Sequence, residues 1–345
     1  MTDLPDISRL WLVAAPLLIL AAALICAVLI RILHPLLMRY ALARPNARSA
    51  HREPTPQGGG MAVIAATLIV AAAGLLVLSV QSASAFELFT LAAAVVLIAL
   101  VGAADDIRAV AVVPRLVAQA LTVGAVIAML PDNVAFLSFL PFWLERLLLV
   151  VGGVWFVNLV NFMDGLDWMT VAEVVPLTAA LSLLGMAGAL PGHAVVVALA
   201  LCGAMLGFAP FNKPVARLFL GDVGSLPIGL VLGWLLLALA AGGHLAAALL
   251  LPLYYLADAT ITLFRKLLRK ERVWHAHRNH FYQRAMDRGM SVHAIVLRVF
   301  ALNVALAMLA AATMLTESDV IKFLLSLAGV IAVASLLFRF ERGKI

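Results

Sequence analysis

Amide and carboxylate side chains recur at every third position in the segment NLVNFMDGLDW. Asn158, Asn161, Asp164 and Asp167 follow the apolar run LLLVVGGVWFV, which is typical of a membrane helix. Residues three apart share a helix face, and Gly165 predicts that the helix ends here, so that both aspartates lie in a loop. Such groups are costly at a membrane boundary unless they have partners. Helix caps would explain one or two of them, and the whole set indicates a binding or catalytic role.

Three more aspartates lie at the ends of other apolar segments. Asp105 and Asp106 end LVGAADDIRAV, and Asp222 opens the segment GDVGSLPIG. Successive helix residues are turned by about 100°, so the adjacent pair is expected to have two different tasks. The glycines beside Asp222 would let a phosphate approach free N–H groups at a helix start. Alternatively, Asp222 is only an N-cap and the aspartate pair only a solvated helix end.

A polar segment, RKLLRKERVWHAHRNHFYQRAMDRG, carries three histidines among arginines. His275, His277 and His280 could ligate zinc, but no cysteine joins them and the neighbouring cations oppose a metal. The set suits a diphosphate better, with Arg278 as a bidentate clamp and the histidines as donors. The alternative is a basic loop at anionic lipid. Asp258, just before this segment, is predicted to be a buried acid of unknown partner.

The elements that must position these residues are membrane helices. The chain has 345 residues, of which 65% are hydrophobic, and a mean hydropathy of +1.09. Crossing the hydrocarbon takes about 20 residues, and no segment alternates like a barrel strand. Cys26 and Cys202 fall in apolar segments and are expected to be small core residues. We predict one integral-membrane domain over 1–345, an all-α polytopic bundle of about 10–11 transmembrane helices. The candidate spans are 11–33, 60–80, 87–104, 112–130, 146–162, 171–189, 193–210, 224–241, 244–264, 293–315 and 320–338.

The placement of charge predicts the orientation of this bundle. With the N-terminus outside, all of the 24 basic residues except Arg9, Arg146 and Lys322 lie at inner connections and ends, as the positive-inside rule requires. The aspartates discussed above then meet at inner helix ends, which predicts an active site at the cytoplasmic face of the inner (plasma) membrane. The net charge of +6 would favour anionic membrane lipid, and no nucleic-acid partner is expected.

Clustered carboxylates beside a basic loop suit Mg²⁺ and a phosphorylated substrate. Magnesium takes one or two protein carboxylates and completes its shell with water and phosphate oxygens, and Mn²⁺ could replace it. Two rival functions stay open at this point. A membrane prenyltransferase would normally need two aspartate-rich motifs of the D-x-x-D kind. A secondary transporter would place its acids near the bilayer midplane, where only Asp258 is predicted to lie.

The ordered motifs carry a family resemblance. TPQGGG at 55, DD at 105, NLVNFMDGLDW at 158, FLGDVGS at 219 and the histidine-rich segment resemble the polyprenyl-phosphate N-acetylhexosamine-1-phosphate transferase superfamily of MraY, WecA and WbpL. The resemblance implies Mg²⁺-dependent transfer of an N-acetylhexosamine 1-phosphate from a UDP-sugar to undecaprenyl phosphate, with release of UMP. It also implies a possible homodimer.

The resemblance further implies a role for each matching residue. Asp222 matches the magnesium ligand, with Asp106 as the alternative, and the aspartate pair matches residues tied to the carrier phosphate and catalysis. Asp167 resembles the acid that contacts uracil, and Phe219 the aromatic on which the base stacks. The implied catalytic residues are Asp105, Asp106, Asn161 and Asp164. The implied substrate-binding residues are Asn158, Gly165, Asp167, Phe219, His275, His277, Arg278 and His280.

Two departures from the family pattern affect these expectations. The usual DGxDG reads DGLDW, so Trp168 stands where a glycine is usual. The histidine segment reads HAHRNH instead of a run of three, which argues against a muramyl-pentapeptide enzyme. AHRNHFYQR is closer to the WbpL-like branch, which initiates O-antigen or other surface polysaccharides.

Overall fold

The protein is a bundle of helices. The computed structural model describes residues 5–43, 54–78, 85–132, 134–137, 139–270 and 279–343. Helices dominate because a helix satisfies its own backbone hydrogen bonds where no water is present. The helices are α1 Pro5–Tyr40, α2 Gly60–Leu78, α3 Ala85–Ile107, α4 Val112–Ala128, α5 Phe142–Met163, α6 Met169–Leu184, α7 Gly192–Phe208, α8 Asp222–Ala241, α9 Leu245–Leu250, α10 Leu253–Leu268, α11 Phe281–Asp287, α12 Val292–Met314 and α13 Asp319–Arg342, and a π-helical turn, Gly185–Ala189, extends α6.

Ten of the eleven predicted spans correspond to single helices. Among the described residues, eight helices are long and apolar enough to cross a membrane, namely α1, α2, α3, α5, α6, α8, α12 and α13. The helices α4 and α7 are apolar but shorter. The prediction of an all-α polytopic membrane protein is confirmed.

The remaining predicted span, 244–264, was expected to be one continuous helix but forms two. The segment divides at Leu251 and Pro252 into the six-residue α9 and the separate α10. Proline has no backbone N–H and its ring clashes with the preceding turn, so a helix rarely continues through it. Asp258 therefore lies on a separate 16-residue helix that is not among the candidate membrane spans.

Strand structure is limited to one short pairing in the described part of the chain. Strands β1 (Leu42–Ala43) and β2 (Thr55–Pro56) are antiparallel, with Leu42 opposite Pro56. Gln57 N–H then donates to the carbonyl of Ala41 at 2.9 Å. This pairing fixes the chain that leads into α2.

Helices α7 and α8 form the centre of the bundle. Helices α1, α2 and α6 pack on α7, and α3 and α5 pack on α8. A side chain at Gly203 or Gly207 of α7 would meet the backbone of α1 at 2.3 Å. Small residues allow this close approach, which drives helix association in lipid. The two predicted core cysteines, Cys26 and Cys202, are buried and free, as expected.

The polar helix ends meet at one end of the bundle, which we call the site end. Contacts join the starts of α2 and α8 and the ends of α3 and α5 there. The ends of α10 and α13 meet the short helix α11 through Glu341, which pairs with Arg265 and Arg284, and Tyr282 of α11 contacts the end of α5. The predicted convergence of the aspartate-bearing helix ends is therefore present in the fold, whereas the assignment of this end to the cytoplasm stays a prediction.

Candidate active site

Asp106 caps a helix to which it does not belong. Its two carboxylate oxygens accept hydrogen bonds, both at 3.0 Å, from the backbone N–H groups of Asp222 and Val223. These are the first two residues of α8, whose N–H groups have no partner within the helix. The contact requires Gly102, because a side chain there would lie 2.3 Å from the carbonyl oxygen of Asp222. The end of α3 is thus joined directly to the start of α8.

The other member of the aspartate pair contacts a cation. The Arg115 Nη1 atom lies 2.7 Å from Asp105 Oδ2 and 3.8 Å from Asp222 Oδ2. Asp105 Oδ1 also accepts from the backbone N–H of Val110 at 2.6 Å. Arg115 Nε is buried and lacks a hydrogen-bond partner among the described residues. The expected division of tasks between Asp105 and Asp106 is therefore seen in their contacts.

Asn161 joins α5 to the same group. Its Nδ2 atom donates to Asp222 Oδ1 at 2.7 Å and to Ser225 Oγ at 2.9 Å. One oxygen of Asp222 is thus held by an amide, and the other faces a guanidinium. We call Asp105, Asp106, Arg115, Asn161 and Asp222 the carboxylate cluster.

The glycine-rich segment before α2 lies against the segment before α8. Phe219 N–H donates to the Pro56 carbonyl at 2.9 Å, and Gly59 N–H donates to the Phe219 carbonyl at 2.9 Å. Gln57 Nε2 donates to the backbone carbonyl of Asp106 at 2.8 Å. The segment turns tightly into α2, with Gly58 at a φ of 103°. This turn fixes the backbone of Phe219 beside the carboxylate cluster.

Asp164 lies in the loop between α5 and α6, where the helix ends as predicted. The residue is partly buried, but its carboxyl group is enclosed by protein. The pKa of Asp164 is raised to about 7, mainly by burial and also by the nearby carboxylates of Asp106 and Asp167, while a hydrogen bond from Thr170 opposes the rise. The Thr170 hydroxyl donates to Asp164 Oδ1 at 2.5 Å. Asp164 can therefore exchange a proton near neutral pH.

Asp167 and Trp168 tie this loop to the loop between α7 and α8. Asp167 Oδ2 accepts from Ala216 N–H at 3.0 Å. Trp168 donates its backbone N–H to Asn212 Oδ1 at 2.8 Å and its indole N–H to the Ala209 carbonyl at 2.7 Å. Trp168 has a φ of 62°, in the left-handed region that favours glycine. The tryptophan side chain thus adds one hydrogen bond, from its indole, at a position whose backbone conformation suits a glycine.

Asn158 has a different environment from Asn161. Its Nδ2 atom donates to Gln119 Oε1 at 2.5 Å and to the Val154 carbonyl at 2.8 Å, and Gln119 Nε2 returns a bond of 3.3 Å. Both side chains are buried. This reciprocal amide pair joins α4 to α5, one turn of α4 beyond Arg115, and its contacts are those of a packing element. The role of Asn158 in substrate binding stays a prediction.

His280 supplies the missing partner of Asp258. The Nδ1 atom of His280 lies 3.1 Å from Asp258 Oδ1, which also accepts from Phe281 N–H at 3.1 Å. Tyr254 donates to the other oxygen of Asp258 at 3.3 Å. His280 is 4% exposed. Its contacts hold the start of α11 on α10, and its predicted contact with a diphosphate remains a prediction. His275, His277 and Arg278 lie outside the described residues.

Helix α11 brings the end of the histidine segment to the site. The Tyr282 hydroxyl donates to the carbonyl of Phe162 at 3.3 Å. A side chain at Gly165 would lie 2.1 Å from that hydroxyl. Gly165 is therefore needed for the close approach of α11 to the loop that carries Asp164. The predicted neighbourhood of the two motifs is present in the described residues from 279 onwards.

The described residues contain no group of three or more histidine, cysteine or acidic side chains that could hold a metal ion. Magnesium needs only one or two protein carboxylates, because water and phosphate complete its shell. Asp222 fits that demand, since its side chain is 27% exposed, and an ion bound there would share Oδ2 with Arg115, 3.8 Å away. Asp106 fits it less well, because both of its oxygens already accept backbone hydrogen bonds.

Sequence reasoning missed two residues that contact the predicted acids. Arg115 was counted only as an inner cation, and Thr170 was not considered. The available signal for Arg115 was its position ten residues after Asp105, in the first turn of α4. Because the connection between α3 and α4 is short, the first turn of α4 must lie near the end of α3. No comparable signal distinguishes Thr170, because its contact with Asp164 depends on how the loop folds.

Chemically, this arrangement combines exposed acid oxygens, a cation and an acid of near-neutral pKa. Arg115 is charged at all relevant pH values and can pair with phosphate oxygens. Asp222 offers an oxygen to a cation, and Asp164 can take or give a proton. These features are those of a site that binds and transfers a phosphoryl group.

The fold and the site together define a polytopic membrane enzyme of the transferase class, and the comparisons with known proteins agree. The profile of glycosyl transferase family 4 matches residues 88–240, which include the whole carboxylate cluster. A probable undecaprenyl-phosphate N-acetylglucosaminyl 1-phosphate transferase of Bacillus subtilis is 25% identical over 301 residues, which are 82% of this chain and 81% of that protein.

Two further relatives match about half of their own length. The decaprenyl-phosphate N-acetylglucosaminephosphotransferase of Mycolicibacterium smegmatis is 31% identical over 214 residues, 56% of this chain and 52% of that protein. The phospho-N-acetylmuramoyl-pentapeptide-transferase of Brachyspira hyodysenteriae is 27% identical over 213 residues, 54% of each chain. These similarities support the resemblance to polyprenyl-phosphate hexosamine-1-phosphate transferases that the motifs indicated.

Proposed function

We propose that the protein transfers an N-acetylhexosamine 1-phosphate from a UDP-sugar to undecaprenyl phosphate at the cytoplasmic face of the inner membrane, releasing UMP. The observation that carries the proposal is the carboxylate cluster, in which three helix ends and Arg115 meet at one end of a membrane bundle. A site at a helix end can take a soluble donor from one side and a lipid-linked acceptor from the bilayer. The product would initiate a surface polysaccharide such as O-antigen.

In the direct reaction, a phosphate oxygen of the carrier attacks the sugar-linked phosphorus of the UDP-sugar. The bond between the two phosphoryl groups breaks, and UMP leaves with that bond's electrons. Arg115 lies between Asp105 and Asp222, where it could pair with phosphate oxygens and compensate charge. Asp105 is the proposed general base of this direct route, and a two-step route through a carboxylate nucleophile stays open as the alternative.

The proposal includes Mg²⁺ held by Asp222, with Asp106 as the alternative ligand. Bound there, the ion would neutralise the diphosphate and assist phosphoryl transfer. Asn161 fixes one oxygen of Asp222 through its amide at 2.7 Å, which leaves the other oxygen directed towards Arg115. Asp164 would hold or release a proton at its carboxyl group near neutral pH.

The donor nucleotide is proposed to lie beside the two loops joined by Asp167 and Trp168. Asp167 and Phe219 belong to loops that are held together by backbone and side-chain hydrogen bonds. A rigid frame lowers the entropic cost of ordering a base-binding site. The motif AHRNHFYQR supports the WbpL-like branch of the superfamily.

The test is UMP release by the purified protein in detergent, with undecaprenyl phosphate and Mg²⁺. A panel of UDP-GlcNAc, UDP-GalNAc, UDP-QuiNAc and UDP-FucNAc would identify the donor. Asp222→Asn should reduce lipid-dependent UMP release by about 10³-fold or more, because metal assistance provides several kcal/mol. Its expression should be normal, since the amide still accepts from Asn161. Near-normal turnover of this variant would remove Asp222 from the metal site.

A further inference from the structure

A second concave site lies between the start of α12 and the end of α13. It is a groove of about 840 Å³ beside the turn formed by Gly289, Met290 and Ser291. Ligand sites commonly have volumes of about 300–1,000 Å³. None of the described residues that line the groove belongs to the carboxylate cluster. Its polar lining is dominated by three arginines, Arg298, Arg339 and Arg342.

These arginines differ from their neighbours in how their charge is compensated. Arg265 and Arg284 both pair with Glu341, at 3.2 and 2.8 Å. The groove arginines form no ion pair within the described part of the chain, and no acidic residue is among the described residues that line the groove. Three like charges in one concave site repel each other and favour an anion.

Two of the groove arginines are also held in place by groups that leave their charge uncompensated. Arg298 Nη1 donates to the Ala294 carbonyl at 2.8 Å, one turn earlier in α12. The guanidinium of Arg342 lies 4.1 Å above the centre of the Phe338 ring. Both contacts fix a side chain without neutralising it, so donors of the guanidinium groups remain available.

The groove lies near the start of α12 and the end of α13, where a spanning helix would meet the lipid head groups. Helices α12 and α13 are both long and apolar enough to span. Arg298 lies six residues after the first residue of α12, which is ~9 Å along the helix, and Arg339 and Arg342 are in the last turn of α13. The stems of such arginines can lie along apolar surface while their charged ends reach the interface.

We propose that this groove binds one anionic phospholipid from the leaflet at the site end. The three arginines would hold its phosphate, and its acyl chains would follow the apolar faces of α12 and α13. Phe338 is 54% exposed and Leu297 is 68% exposed, so the helix surface beside the arginines is apolar. A soluble phosphate would not use that surface, and a zwitterionic phospholipid would not compensate three positive charges. Glu341 ties the end of α13 to α10 and α11, so the bound lipid would stabilise the helix ends that hold the histidine segment.

The test uses the full-length protein in detergent, with phosphatidylglycerol as the probe. Native mass spectrometry measures the affinity of the most tightly bound lipid, and thermal unfolding measures its stabilising effect. Each interfacial arginine contributes about a fivefold change in affinity for anionic lipid. The double variant R339Q/R342Q should therefore bind on the order of thirtyfold more weakly. The control R269Q/K270Q removes the same charge from the exposed end of α10 and should change the affinity less than threefold.

The expected result is one retained phosphatidylglycerol per chain and a stabilisation that R339Q/R342Q loses and the control keeps. An equal loss in both double variants would mean general charge attraction and would overturn the proposal. Equal stabilisation by phosphatidylcholine, or by inorganic phosphate, would overturn it as well, since each lacks one half of the proposed recognition. If R339Q/R342Q is too unstable to purify, R298Q alone should weaken binding about fivefold.

Discussion

The contact between α3 and α8 at Gly102 offers a direct test of the site geometry. An alanine Cβ at this position would lie 2.3 Å from the Asp222 carbonyl oxygen and 2.6 Å from the Val223 nitrogen. Ordinary contacts begin near 3.4 Å, so the two helices must separate by about 1 Å. The hydrogen bond from Asp222 N–H to Asp106 Oδ1, now 3.0 Å, would lengthen to about 4 Å and would be lost.

Gly102→Ala should therefore impair activity more than stability. Overpacking costs about 1–3 kcal/mol, and replacing a helical glycine with alanine returns about 1 kcal/mol. The net loss of unfolding free energy is then about 0–2 kcal/mol. A displacement of about 1 Å in a catalytic group can reduce turnover by about 10²-fold. Lipid-dependent UMP release and thermal unfolding in the same detergent measure the two effects separately.

A matched glycine provides the control for this substitution. Gly152 lies in α5, the helix that carries Asn161, and a side chain there would meet nothing within 4 Å. Gly152→Ala should keep full activity and should raise stability by up to about 1 kcal/mol. If Gly102→Ala were as active and as stable as Gly152→Ala, the close α3–α8 contact would be wrong, and with it the capping of α8 by Asp106.

Three further variants test other contacts. Trp168→Phe removes an indole N–H that joins two loops, and it should cost about 1 kcal/mol and raise the KM for the UDP-sugar more than it lowers kcat in steady-state assays. Thr170→Val removes a hydrogen bond that lowers the pKa of Asp164. If the ionised carboxylate is needed, the acid limb of the kcat/KM profile should move from about pH 7 to higher pH by roughly one unit, while Thr170→Ser should leave it in place. Asn303→Leu deprives buried Glu173 of its 2.7 Å hydrogen bond and should cost about 1–3 kcal/mol in thermal unfolding, and adding Glu173→Leu should recover most of that loss.

Much of the architecture could be predicted from local sequence. Ten apolar segments are helices close to where their length and composition placed them. The helix α5 ends at Met163, next to the loop that Gly165 predicted, and the glycines before α2 form a tight turn. These features depend on backbone hydrogen bonding in an apolar medium and on the allowed dihedral angles of single residues. Both are properties of the nearby sequence.

Pairing between distant residues could not be predicted in the same way. Asn158 and Asn161 have the same side chain and lie on one helix face, yet Asn158 pairs with Gln119 of α4 and Asn161 with Asp222 of α8. The partner of Asp258 follows it by 22 residues and required α11 to fold back onto α10. Periodicity gives the direction of a side chain relative to its own helix, but it does not identify the helix that faces it.

The sequence by itself therefore determined the class of the protein, the number and limits of most helices, and the meeting of its aspartates at one end of the bundle. Only the tertiary structure decided that Asp106 caps α8 and that Arg115 lies between Asp105 and Asp222. It also showed that the segment after α8 divides into two helices, α9 and α10. The physical reason is that apolar length and turn residues act locally, whereas a hydrogen bond or ion pair forms only after packing has brought two distant helix ends within about 3–4 Å.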